Sequence, residues 1–302
     1  MELKAEPRRQ DRSGFDEDRR WNGAVDAAFA PSSGRTVLRS LDFYGPLRIQ
    51  SLFYPEPPAM EGAQCAHCYL LHPPGGLVSG DCLSIGACAE DGARTLITTP
   101  AMTKVYMTDS HHVRQSESIS LRARRSDLEW LPQGVIFFDG SDAVFSLDAD
   151  IDAESSLFAL SLNVFGRKED AADYVDARCA LSTRIAREGA PLVTERLELT
   201  PGCGAMRSPS GLSGFGVCGS LYAVARPGGE AGLEKALSDL APRVARHDDR
   251  CMAGASFANH VAVVRVLASG SEEAFSILSK AWEALRPAVS GRKAVRPRIW
   301  AT

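Results

Sequence analysis

Between residues 36 and 164 the apolar positions fall into short runs, closed by turns rich in glycine, proline or small polar residues. The runs are 37–38, 47–49, 69–71, 83–87, 96–98 and 104–106. Residues 117–123 alternate: Ile119, Leu121 and Ala123 take one face, Ser118, Ser120 and Arg122 the other. A period of two is the signature of a half-buried strand. Val135-Ile136-Phe137-Phe138 runs into an Asp139-Gly140 turn, and 144–147 and 157–164 continue the pattern. Many short strands at roughly ten-residue spacing predict a barrel, a sandwich or a β-helix. No strict repeat period selects among them.

Beyond 164 the pattern changes. Residues 168–175 predict a short helical turn, and 178–185, 192–199 and 217–225 predict strands around a Gly/Ser/Pro loop at 201–214. Leu233, Leu237, Leu240 and Val244 recur at helical spacing over 229–244, with Pro242 near the end. An apolar strand follows at 261–267. Ser271 then caps a second helix, Glu272 and Glu273 complement its dipole, and Leu278, Trp282 and Leu285 form its apolar face. Pro287 is expected to close it. Residues 1–35 are rich in Arg, Asp and Glu, with few aliphatics before Val25. So little apolar surface predicts a mobile tail, docked at most near Trp21 or Phe29, ahead of a single domain over 36–302.

Charge narrows the function classes. A net charge of −4 argues against nucleic-acid binding, which needs a basic surface. No apolar run approaches the ~18 residues of a membrane span. The charged N-terminus lacks the apolar core of a signal peptide, so a cytoplasmic location is expected. The eight cysteines are then mostly thiols, small core residues on apolar strands.

Few motifs carry chemistry. Gly214-Phe-Gly216-Val-Cys-Gly219 has dinucleotide-fingerprint spacing, but it follows a loop and leads into a strand, the wrong context. No Gly-x-x-x-x-Gly-Lys-Ser/Thr phosphate loop occurs. Cys65-Ala-His67-Cys68 with His72 is the densest group of soft ligands, yet no second pair stands at zinc spacing. On a strand, Cys65 and His67 share a face and Cys68 points away. His111-His112 reads as a solvated turn, Asp81 as a cap on turn amides, and Thr98 and Thr99 as ordinary strand residues.

Four segments stand in a telling order: His72-Pro-Pro-Gly-Gly76 to Gly80-Asp81, Thr98-Thr-Pro-Ala-Met-Thr-Lys-Val-Tyr106, Leu128-Glu-Trp-Leu-Pro-Gln133, and Trp282-Glu-Ala-Leu-Arg-Pro287 with Pro297-Arg-Ile-Trp300. In these the chain, from about residue 36 onward, resembles the urease accessory protein D family (UreD, or UreH). The resemblance implies a mainly β protein: an elongated β-helix-like or irregular multi-strand body with two helices near the C-terminus. It implies a non-enzymatic chaperone in a heteromeric complex, bridging apo-urease to a UreF-type adaptor and a UreG-type GTPase for GTP-dependent nickel insertion. No cofactor would be tightly bound, and nickel would be transient. A polar internal tunnel is implied, with Asp81, Glu195, Thr98 and Thr99 along it and Cys65, His67 and Cys68 as a rival soft entry. Trp282, Arg286 and Trp300 would face partners, on an exposed apolar patch that includes the C-terminal helix. The chain departs from the family's pattern at Gly134, at residues 163–167, and at the shifted acidic set Glu169, Asp170 and Asp173.

Two other readings compete. Asp81 and Glu195 could be the paired carboxylates of a hydrolase, which requires them buried about 5–10 Å apart in a cleft. The chain could also be a pure scaffold with no metal path.

Overall fold

A computed structural model describes residues 18–58, 62–167 and 173–301. The first elements among the described residues are a hairpin, β1 (Trp21–Ser32) and β2 (Arg35–Tyr44), followed by β3 (Arg48–Phe53). It then winds in coils, each giving strands to three sides. The first coil is β4 (Ala66–Leu71), β5 (Gly76–Leu77) and β6 (Asp81–Glu90). The second is β7 (Arg94–Thr98), β8 (Thr103–Val105) and β9 (Gln115–Arg124). The third is β10 (Asp127–Trp130), β11 (Val135–Phe137) and β12 (Asp142–Ile151). β13 (Ser156–Phe165) and β14 (Arg178–Arg187) complete the winding, and β15 (Ala190–Leu199) turns back as a hairpin. The rest adds β16 (Val217–Val224), helix α1 (Glu230–Val244), β17 (Arg246–His247), β18 (Cys251–Ala258), β19 (Val261–Ala268) and helix α2 (Ser271–Ser290).

Two sheets result. The first runs β15-β14-β12-β9-β6-β1-β2 and the second β17-β18-β19-β16-β13-β10-β7-β4-β3, with β5, β8 and β11 as the third side. Pairing is parallel through the coils, β1-β6-β9-β12-β14 on one side and β4-β7-β10-β13 on the other. This is a short β-helix, so the expected mainly β body with two C-terminal helices is what forms. The fingerprint-like glycines lead into β16, a strand rather than a helix.

Alternation along each strand builds a layered core. Inward residues such as Leu70, Ile97, Leu128 and Trp130 face the first sheet, where they meet Ile85, Leu121 and Phe145. Outward residues of the second sheet, Leu96, Phe158, Leu160 and Leu221, meet Leu233, Leu237, Leu278 and Leu285 of the helices. Each large apolar side chain so buried contributes about 1.5–3 kcal/mol.

Four expectations need correction. Ser271 does not cap α2: Gly270 stands at the N-cap without a side-chain cap hydrogen bond, and Ser271 is the first helical residue. The mobile tail fails from Trp21 onward: β1 pairs with both β2 and β6, and Val25, Ala27 and Phe29 are buried. Residues 1–17 lie outside the described residues, as does most of the turn predicted at 168–175. Pro287 does not close α2. It lies within the helix, which ends at Gly291 in the left-handed conformation that glycine adopts without a Cβ penalty. The C-terminal helix is not an exposed apolar patch either, because Leu278, Trp282 and Leu285 are fully buried. The exposed large apolar residues include Val78, Tyr106, Met107 and Val175 instead.

Candidate functional site

The interior between the two sheets is not completely filled. A cavity of about 210 Å³ lies there, walled by Ile85, Ile119, Phe145 and Leu147 from one sheet and by Leu70, Trp130 and Leu162 from the other. Thr99, Thr103 and Lys104 form part of its rim with His72 and Gly75. Its one acidic lining residue among the described residues is Glu117. Strand register explains why. Leu83, Glu117, Phe145, Leu181 and Leu197 form one rung across five strands of the first sheet. A carboxylate therefore takes an inward place that its neighbours fill with apolar side chains. Glu117 is 8% exposed and has no hydrogen-bond or ion-pair partner among the described residues. Burial alone pushes its carboxyl up to about 7.

A second cavity of about 640 Å³ shares Ser161 and Asn163 with the first. Both residues lie on β13, and Asn163 donates to the Ser161 hydroxyl at 3.0 Å. Glu195, Arg246, His247 and Arg265 also line this second space.

The residues expected along a tunnel are therefore divided. Thr99 lines the first cavity and Glu195 the second. Glu195 is already engaged, accepting from the Tyr222 hydroxyl at 2.8 Å and paired with Arg265. Asp81 is buried, but it lines neither cavity. One of its oxygens caps the Val78 amide at 2.8 Å and the other is buried without a partner, and burial raises its carboxyl. Thr98 also lies off the cavities, donating to the Leu131 carbonyl at 2.6 Å and accepting from Trp300 Nε1 at 2.8 Å. Asp81 and Glu195 are not a catalytic pair. Glu195 stands four strands from β6 in its rung, which with the ~4.8 Å strand spacing puts the two on the order of 20 Å apart.

The soft-ligand cluster divides as its strand geometry requires. Cys68 faces the intersheet core, while Cys65 and His67 face the helices, where Glu56 joins them with ligand atoms within 4.8 Å of one another. This group is poorly suited to a metal. Arg286 Nη2 lies 2.5 Å from Glu56 Oε1 and 3.7 Å from Cys65 Sγ, and Arg292 holds the other Glu56 oxygen at 3.1 Å. Burial pushes the Cys65 thiol up to about 12, so the thiolate that a metal needs is strongly disfavoured.

These residues belong to a buried ion-pair network that sequence reading missed. Trp282 and Arg286, one helical turn apart on α2, converge on Glu129. The indole donates to it at 2.7 Å and the guanidinium at 2.8 and 3.0 Å. Arg292 reaches Glu129 at 3.2 Å and Asp127 at 3.7 Å. Asp127 also pairs with Arg226 at 2.7 Å and accepts from Ser156 at 2.5 Å. Trp300 packs edge-on against Trp282 at 5.5 Å. Trp282 and Arg286 are thus fully buried and cannot be the partner contacts they were expected to be, and Trp300 is half-buried in the same latch.

Gly134 has a local cause. Its φ is +115°, and a Cβ there would sit 2.6 Å from the Leu162 carbonyl and 3.0 Å from Met102 Cε. An acidic side chain cannot be accommodated without moving β13. Gly134→Ala is expected to cost about 1–3 kcal/mol from the left-handed backbone alone, measured by urea unfolding. A cost below ~0.5 kcal/mol would show that the backbone relaxes at this position.

Residues 22–301 match the sequence profile of the UreD urease accessory protein family, a span that takes in β1 from its second residue onward. A urease accessory protein UreD of Chromohalobacter salexigens is 37% identical over 292 residues, covering 95% of this chain and 91% of its own length. One from Hahella chejuensis is 36% identical, covering 94% and 91%. One from a Janthinobacterium species is 34% identical, covering 96% and 95%. With a mainly β body and likeness along almost its whole length, the chain belongs to the UreD family of urease accessory proteins.

Proposed function

We propose that this chain is a non-enzymatic maturation scaffold that binds apo-urease, joins it to a UreF-type adaptor and a UreG-type GTPase in the cytoplasm, and lets nickel pass through its interior during GTP-dependent insertion. The observation that supports a passage is that the two cavities share Ser161 and Asn163 in their walls, and that each is lined by a carboxylate. Nickel is cargo here and must be released, so loose oxygen ligands suit it better than a closed thiolate cage. The exposed apolar residues at the β8 end fit a partner surface. Tyr106 stacks on Phe138 at 5.4 Å, and Met107 lies against Gly140. Exposed apolar patches of this kind commonly mark interaction sites.

Ser161→Phe tests the passage by filling the junction. In cells it is expected to leave capture of urease and of the adaptor intact by pull-down, while urease nickel content and activity fall at least tenfold. Normal activation with the junction filled would overturn the passage and leave a scaffold without a metal path.

A further inference from the structure

Glu117 is the residue least explained by its surroundings. A lone ionised carboxylate in an apolar environment costs several kcal/mol unless something neutralises it. Its rung neighbours are all apolar, and no cation of this chain answers it among the described residues. Among the described residues the two basic side chains on the cavity wall are His72 and Lys104, and Lys104 is exposed on the rim. The space it faces is not purely apolar. Thr99, Ser161, Thr183 and Asn163 bring oxygen donors to the same cavity, and His72 Nδ1 is buried without a partner. The volume of about 210 Å³ is enough for an ion with several waters.

We infer that Glu117 anchors a binding site for one partly hydrated divalent cation inside the intersheet cavity. Oxygen donors and retained water suit a hard or borderline ion held weakly, in contrast to the guanidinium-blocked Glu56–Cys65–His67 group. The site stands on the cavity geometry, and only the identity of its natural cargo rests on the passage proposed above.

The full chain would be titrated with Co²⁺ and, separately, Ni²⁺, by calorimetry and absorption spectroscopy. One Co²⁺ per chain is expected, with the weak visible bands of an oxygen-rich site and no thiolate charge-transfer band. Glu117→Gln is expected to weaken binding at least tenfold while far-UV circular dichroism stays unchanged, and Cys65→Ala is expected to bind as the parent does. Unchanged affinity in Glu117→Gln, a thiolate band, loss of binding in Cys65→Ala, or binding of propylammonium in place of Co²⁺ would each overturn the site. Failure of the passage reading looks different: Ser161→Phe then activates urease normally, while the parent chain still binds Co²⁺ and Glu117→Gln still weakens that binding.

Discussion

Glu129→Ala is expected to lower the stability of this chain by about 3–5 kcal/mol, the range for removing one partner of a buried charge pair. Glu129 is 2% exposed and Arg286 is fully buried, so water cannot take over the lost contacts. The substitution also strips the Trp282 indole of its acceptor. Glu56 still holds Arg286 at 2.5 Å, which argues for the lower half of that range. At about 2–4 °C per kcal/mol for a chain of this size, the thermal midpoint should fall on the order of 10 °C. The network is not thereby the best use of the space. Glu129→Leu combined with Arg286→Met replaces charge by packing and is expected to recover much of the loss. A Glu129→Ala cost under ~1 kcal/mol by urea unfolding would mean that the network is hydrated and weak.

The same latch sets the acid limb of stability. Burial tends to raise the Glu56 carboxyl, but the His67 hydrogen bond and the Arg286 and Arg292 guanidiniums outweigh it and hold the carboxyl at about 2. A depressed carboxyl contributes stability that is present above its ordinary 4.5 and is lost as pH falls toward 2.

Much of the fold was legible because alternation in the sequence is alternation in space. Ile119, Leu121 and Ala123 were read as one face, and β9 places Leu121 and Ala123 in the intersheet core with Ile119 packed against it. The coil period stayed hidden because the corners differ in length. Leu83, Glu117 and Phe145 stack in register, yet 34 residues separate the first two and 28 the next. β1 was missed for another reason. Its buried face is Gly23, Val25, Ala27 and Phe29, mostly small side chains beside a strongly charged N-terminal stretch. Its stability comes from pairing with β2 and β6, which composition does not register.

The candidate site was less legible. Glu56, Glu129 and Arg286 meet across separations of 157 and 230 residues, and no local pattern signals such a meeting. The resemblance implied partner contacts for Trp282 and Arg286, although helical spacing already put Trp282 on the apolar face of α2. Here they are the buried half of a latch. Glu117 did leave a signal, since it falls at the odd positions shared with Ile119 and Leu121. A carboxylate on an apolar face is informative, but only the cross-strand rung of Leu83, Phe145, Leu181 and Leu197 shows that it has no polar neighbour.

That isolation predicts an unusual alkaline limb. In chelator, Glu117→Gln is expected to stabilise the chain by about 3 kcal/mol at pH 8 and to change little near pH 4.5, since one pKa unit is worth about 1.4 kcal/mol. Burial raises the Glu117 carboxyl from 4.5 to about 7, so the folded chain holds this proton more tightly than the unfolded chain does. The associated stability is fully present below pH 4.5 and drains away as pH rises through 7, the opposite of a paired carboxylate such as Glu56. The two windows do not overlap, so urea midpoints measured from pH 3 to 9 separate them. Glu117→Gln should flatten the curve between pH 4.5 and 7 and leave the acid limb in place. Parallel curves for the parent and variant over that interval would mean that the carboxylate is solvated inside the cavity. A divalent cation at Glu117 would suppress the same alkaline loss by binding only the folded, ionised form, so adding Co²⁺ at pH 8 should stabilise the parent and not Glu117→Gln.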